Sequence, residues 1–143
     1  MTRINRYAPA LVWGIFIFVL STWPGKDFPQ LNWGDLLSVD KLVHITFYAL
    51  LTGLILRGYF GIKNLKFKID AADFRLENGE IKPQILKIGF WIAASCTAYG
   101  WFLEWFQEHF CQDRMFDPFD GLANTIGAFA VLGLFIWQNR QIF

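Results

Sequence analysis

The most constraining feature of this sequence is where its charges are missing. Four stretches carry no Asp, Glu, Lys or Arg: residues 7–25, 42–56, 88–103 and 121–139, of 19, 15, 16 and 19 residues. A helix crossing the hydrocarbon core of a bilayer needs ~20 mostly apolar residues, so the first and last stretches suffice nearly unaided. The middle two must take charged neighbours into or near the apolar layer: Asp40, Lys41 and Arg57 for the second, Lys87 and Glu104 for the third. Arg57 and Lys87 snorkel to the interface along their alkyl stems; Glu104 has a shorter reach.

The apolar runs are continuous rather than alternating, which excludes a membrane barrel and leaves helices as the way to satisfy the backbone in lipid. The spacing predicts an all-α, polytopic membrane protein with four transmembrane helices near 7–25, 41–60, 86–108 and 119–138. With 143 residues the chain is one domain long. Its composition fits a bilayer better than water: 55% hydrophobic and 17% charged, against ~45–50% and ~25% for soluble domains. Aromatic residues make up 19%, more than a core of this size buries with every indole N–H satisfied. A net charge of +1 gives no polyelectrolyte signal, so the bilayer and not nucleic acid is the expected partner. Arg3 and Arg6 before the first run imitate a signal peptide, but Ser21-Thr22-Trp23-Pro24-Gly25 is no small-residue cleavage site. The first span is expected to be retained.

Lys and Arg set the orientation. Ten of the thirteen lie at the two ends of the chain or within 57–87, and only Lys26, Lys41 and Arg114 lie elsewhere. Both termini and the 57–87 loop are therefore expected in the cytoplasm, with loops 26–40 and 109–118 extracytoplasmic. Within the cytoplasmic loop, Asn78-Gly79 between alternating flanks predicts a short β-hairpin-like turn; its role beyond fixing topology is left open.

Eight of the twelve acids fall on the outer side: Asp27, Asp35, Asp40, Glu104, Glu108, Asp113, Asp117 and Asp120. On the second helix Lys41, His44 and Tyr48 share a face, with Asp40 one turn above His44. On the third, Gly100, Glu104, Gln107 and Glu108 form a stripe among Trp101, Trp105, Phe106 and Phe110, the rings of an interfacial belt. Asp117-Pro118-Phe119-Asp120 reads as a helix start, with Asp117 as N-cap and Pro118 at the first helical position. Asp120, Asn124 and Gly127 continue down one face, and Asn124 calls for a partner on a neighbouring helix.

The expected ligand-binding set is thus Asp40, Lys41, His44, Tyr48, Glu104, Gln107, Arg114, Asp117, Asp120 and Asn124. An ionisable group inside a membrane is a functional hypothesis by default, although the same contacts could simply hold a helix bundle together. His44 stands open between proton carrier, ligand and hydrogen-bonded spacer. No spacing among His44, Glu104, Asp117 and Asp120 is a metal-ligand motif, and no metal or cofactor is expected. Ser21, Ser38, Ser95 and Cys111 lack a neighbouring base. Cys96 and Cys111 on one helix would lie roughly 22 Å apart and cannot pair.

Asp40-Lys41-x-x-His44-x-x-x-Tyr48, followed by Glu104-x-x-Gln107 and Arg114-x-x-Asp117-x-x-Asp120-x-x-x-Asn124-x-x-Gly127, resembles the VanZ-like family of small bacterial membrane proteins. Leu20-Ser21 followed by Pro24 resembles it too. The likeness spans nearly the whole chain outside 62–84. It implies a four-helix protein of the bacterial cytoplasmic (inner) membrane and cell envelope, in a family whose namesake is linked to teicoplanin resistance. The leading expectation is an outward-facing polar site for the headgroup of a lipid carrier or cell-wall precursor, with Lys41, Arg114 and the start of the fourth helix meeting phosphate. Competing readings are an enzyme using His44 and Glu104 as an acid–base pair on a lipid-linked substrate, and a structural or partner-binding bundle.

Overall fold

The computed structural model describes residues 3–23, 33–61, 81–111 and 115–140. They form four α-helices: α1 (Arg3–Thr22), α2 (Trp33–Phe60), α3 (Ile81–Phe110) and α4 (Pro118–Gln138). No strand occurs among the described residues. Most of the expected hairpin lies outside them, and its last two residues, Ile81 and Lys82, open α3 instead. Pro83 explains why a helix is welcome there: in a first turn its missing N–H has no partner to lose.

Two helices are long and apolar enough to cross a membrane, α2 over Asp40–Phe60 and α4 along its whole length. α2 and α3 outrun their charge-free stretches at both ends, and α1 and α4 at their starts, because absent charge marks a layer thickness and not a helix end. The largest difference is in α2, which begins at Trp33, so residues 33–40 expected in a loop are helical. At its other end α2 stops on Gly61, whose φ of 64° is left-handed and closes a helix at no steric cost to glycine. Thr22 at the end of α1 turns its hydroxyl back onto the carbonyl of Phe18, 2.9 Å away, and Pro24 lies just beyond in the sequence.

α2 and α4 run parallel and form the most extensive helix pair. Their approach is set by Gly127, where a Cβ would come within 2.2 Å of the Ile45 carbonyl oxygen. At the far end the rings of Phe60 and Phe135 stack at 5.1 Å. α3 runs antiparallel to α4, with Gly121 seated on the Trp101 indole. α1 packs along α2, pinned by Trp13, whose indole N–H donates to the Phe47 carbonyl at 3.0 Å. The core between the helices is built from Ile17, Leu51, Leu56, Ile85, Leu103 and Phe135, among others. α1 and α3 meet through side chains such as Tyr99, whose hydroxyl donates to the Gly14 carbonyl at 2.9 Å, and a largely apolar groove of about 570 Å³ opens between them over Leu51, with Gly14, Phe18 and Cys96 on its walls.

This arrangement brings the ends of α1 and α3 and the beginnings of α2 and α4 to one end of the bundle. Every expected site residue within the described part of the chain belongs to that half.

Candidate functional site

The site is built on the start of α4. Asp117 is its N-cap, in extended backbone (φ −112°, ψ 107°), and its Oδ1 accepts the Phe119 N–H at 2.8 Å. Capping one orphan N–H of the first turn uses one carboxylate oxygen and leaves the other free. That second oxygen takes the Lys41 ammonium of α2 at 2.7 Å. Lys41 also binds Oδ1 of Asp120, one turn along α4, and stands 3.7 Å from Oδ2 of Asp40. One ammonium with three donors thus faces three carboxylates drawn from two helices. Burial disfavours the Asp117 carboxylate, but the Lys41 bond and the N–H groups of Phe119 and Asp120 outweigh it and hold its carboxyl below the usual range.

His44 lies one turn below Asp40. Its Nδ1 is 3.0 Å from Oδ1 of Asn124, the partner on a neighbouring helix that the buried amide called for. Its Nε2 is 3.8 Å from Oδ1 of Asp40 and 3.6 Å from Oδ2 of Asp120. These three ligand-capable atoms lie within 4.8 Å of one another, a clustering that linear spacing concealed because Asp120 arrives from another helix. Glu104 projects from α3 and is only 2% exposed. It lies close to the Asp117 backbone, Asp120 and Lys41.

Two expected residues point elsewhere. Tyr48 is 2% exposed within the hydrophobic core, its ring 6.3 Å from Tyr99. Gln107 donates to the Ser21 carbonyl at 2.8 Å, satisfying an orphan acceptor at the end of α1 and tying α1 to α3. Arg114 lies outside the described residues. His44 has Asn124, Asp40 and Asp120 as its polar neighbours; no hydrogen bond or ion pair joins it to Glu104 among the described residues, so the expected acid–base pair is not a contacting one.

Other parts of the site carried little sequence signal. Gly100 makes room for Asn124, since a Cβ there would meet its Nδ2 at 2.8 Å. Trp101 supports the first turn of α4 from below Gly121, its indole N–H 3.4 Å from the Thr125 hydroxyl. The sequence places Gly100 on the polar stripe of the third helix and Trp101 in its interfacial belt, and only the packing of α3 on α4 gives them a specific task.

With one cation against Asp40, Asp117 and Asp120, and Glu104 behind them, the site is acidic. Lys41 already donates to Asp117 and Asp120, so two carboxylates compete with any phosphate for its ammonium. Comparisons with protein-family profiles, with curated proteins and with solved structures return no match.

Proposed function

We propose that the chain is a VanZ-like integral membrane protein of the bacterial cell envelope, crossing the inner membrane four times. Both termini and the 57–87 loop are cytoplasmic, and the Asp117 end faces outward. The apolar surface supports this reading: Leu11 and Ile15 on α1, Leu42 and Leu50 on α2, Phe90 and Trp91 on α3, and Ile126 and Leu134 on α4 are all exposed. In a bilayer such side chains meet lipid at no cost; in water a patch of that extent needs another explanation. The sorting of Lys and Arg supports the orientation.

The polar end binds the headgroup of a lipid-linked or cell-wall precursor. The observation that carries this is the convergence of Asp40, His44, Glu104, Asp120 and Asn124 around a lysine already bound to two carboxylates. Polar groups gathered at such cost at the end of an apolar bundle are suited to a ligand. The excess of carboxylates selects hydrogen-bond donors, an amine or sugar hydroxyls, over a bare phosphate. The resemblance extends the proposal to glycopeptide action, which teicoplanin susceptibility of cells with and without the chain tests.

Native mass spectrometry of protein purified in mild detergent tests the binding. Wild type is expected to retain a glycosylated or amine-bearing lipid, and Glu104→Gln to release it while remaining folded. Absence of retained lipid, or equal retention in the variant, contradicts the proposal.

A further inference from the structure

Asp40 and Asp120 divide their oxygens in the same way. Each turns one oxygen toward Lys41, Oδ1 of Asp120 in direct contact and Oδ2 of Asp40 at 3.7 Å, and the other toward Nε2 of His44, at 3.8 and 3.6 Å. The protonation of His44 follows from its other nitrogen. Oδ1 of Asn124 is an acceptor only, so Nδ1 carries the proton in that 3.0 Å bond. In the neutral ring Nε2 is then a lone pair facing two carboxylate oxygens. Three acceptors converge with no donor between them among the described residues, which calls for a cation.

We propose that Asp40, His44 and Asp120 form a binding site for a divalent transition-metal cation of the zinc class. The donor set, one imidazole and two carboxylates, is of the three-ligand type that leaves a fourth position open. Donor atoms on a tetrahedral zinc at bond lengths of ~2.0–2.2 Å sit roughly 3.3–3.6 Å apart. The two edges through Nε2 need a few tenths of an ångström of contraction, and the Asp40–Asp120 edge, which lies within 4.8 Å, needs up to about an ångström, a movement that rotation of the exposed Asp40 side chain supplies.

The surroundings provide the supports that such a site uses. Asn124 fixes the tautomer that presents Nε2, the part played by the carbonyl or carboxylate behind most metal-bound histidines. Among the described residues Asn124, 1% exposed, has no partner for its Nδ2, and its bond to His44 is the polar contact that accounts for an amide at this depth. Lys41 orients both carboxylates from the side away from His44. Three aspartates against one lysine leave a formal charge of −2 when all are ionised, which a divalent cation balances. Asp40, its side chain 48% exposed, keeps the open position accessible to water or to a ligand oxygen. The inference stands on these atoms and does not rest on the headgroup reading.

The test is zinc titration of the full chain in detergent after chelation, followed by calorimetry and by metal content after desalting. Wild type is expected to bind one zinc per chain and to melt at a higher temperature in its presence. Asp40→Asn, which removes an exposed carboxylate with little risk to folding, and His44→Gln are expected to weaken binding roughly tenfold or more, and Asn124→Ala about tenfold. Glu108→Gln, on an exposed carboxylate outside the site, is expected to bind like wild type. The proposal is overturned if wild type takes up no stoichiometric zinc, or if Asp40→Asn and His44→Gln bind as wild type does.

Discussion

At the scale of single residues, the behaviour of the polar end turns on Lys41. Replacing it with Met leaves Asp117 and Asp120 facing each other without their shared cation. A hydrogen bond to a charged group is worth ~1.5–3 kcal/mol, so Lys41→Met is expected to lower stability by about that much in a detergent melt. The same contact gives a pH dependence whose sign is fixed by Asp117. Its folded carboxyl is held below the ordinary value of 3.8, so the ionised form stabilises the fold. That contribution is complete above the unfolded value and disappears as pH falls through the folded one. Thermal melts are therefore expected to weaken on acidification below about pH 4, and Asp117→Asn to reduce this slope. A slope unchanged in Asp117→Asn would remove Asp117 from the clamp.

Among elements, the α2–α4 pair is the most sensitive. Gly127→Ala places a methyl 2.2 Å from a backbone oxygen of α2, and backbone cannot rotate away as a side chain can. Overpacking of this kind costs ~1–3 kcal/mol. The expected loss is of that size in a melt, whereas Gly133→Ala, with nothing within 4 Å, is expected to be neutral. If the two variants melt alike, the close crossing at Gly127 is not what holds the helices together. Between α1 and α3, Gln107→Ala is expected to cost about 1 kcal/mol through its lost bond to Ser21. The start of α4 was legible in the sequence because Asp117 and Pro118 act on their own first turn, where chemistry and chain position coincide. The start of α2 was not: Gly34, Asp35 and Asp40 have the character of a loop, and the charge-free stretch begins only at Leu42. Helical spacing placed Lys41 and His44 on one face, and Asp120 with Asn124 on another. Which face meets which is decided by packing, and so Gln107 and Tyr48, in register with the site residues, turn to α1 and to the core instead.

For the whole molecule, the central claim is that the bundle spans a membrane with its polar end outside. The native cysteines report on this directly. Cys111 is partly exposed just beyond α3 at the polar end, while Cys96 is buried in the bundle; both are free thiols. A membrane-impermeant maleimide added to intact cells with a permeabilised outer layer is expected to label wild type, and Cys111→Ser is expected to lose that label. Labelling of Cys111 only after the inner membrane is broken, or recovery of the protein in the soluble fraction, would contradict the orientation or the membrane assignment respectively.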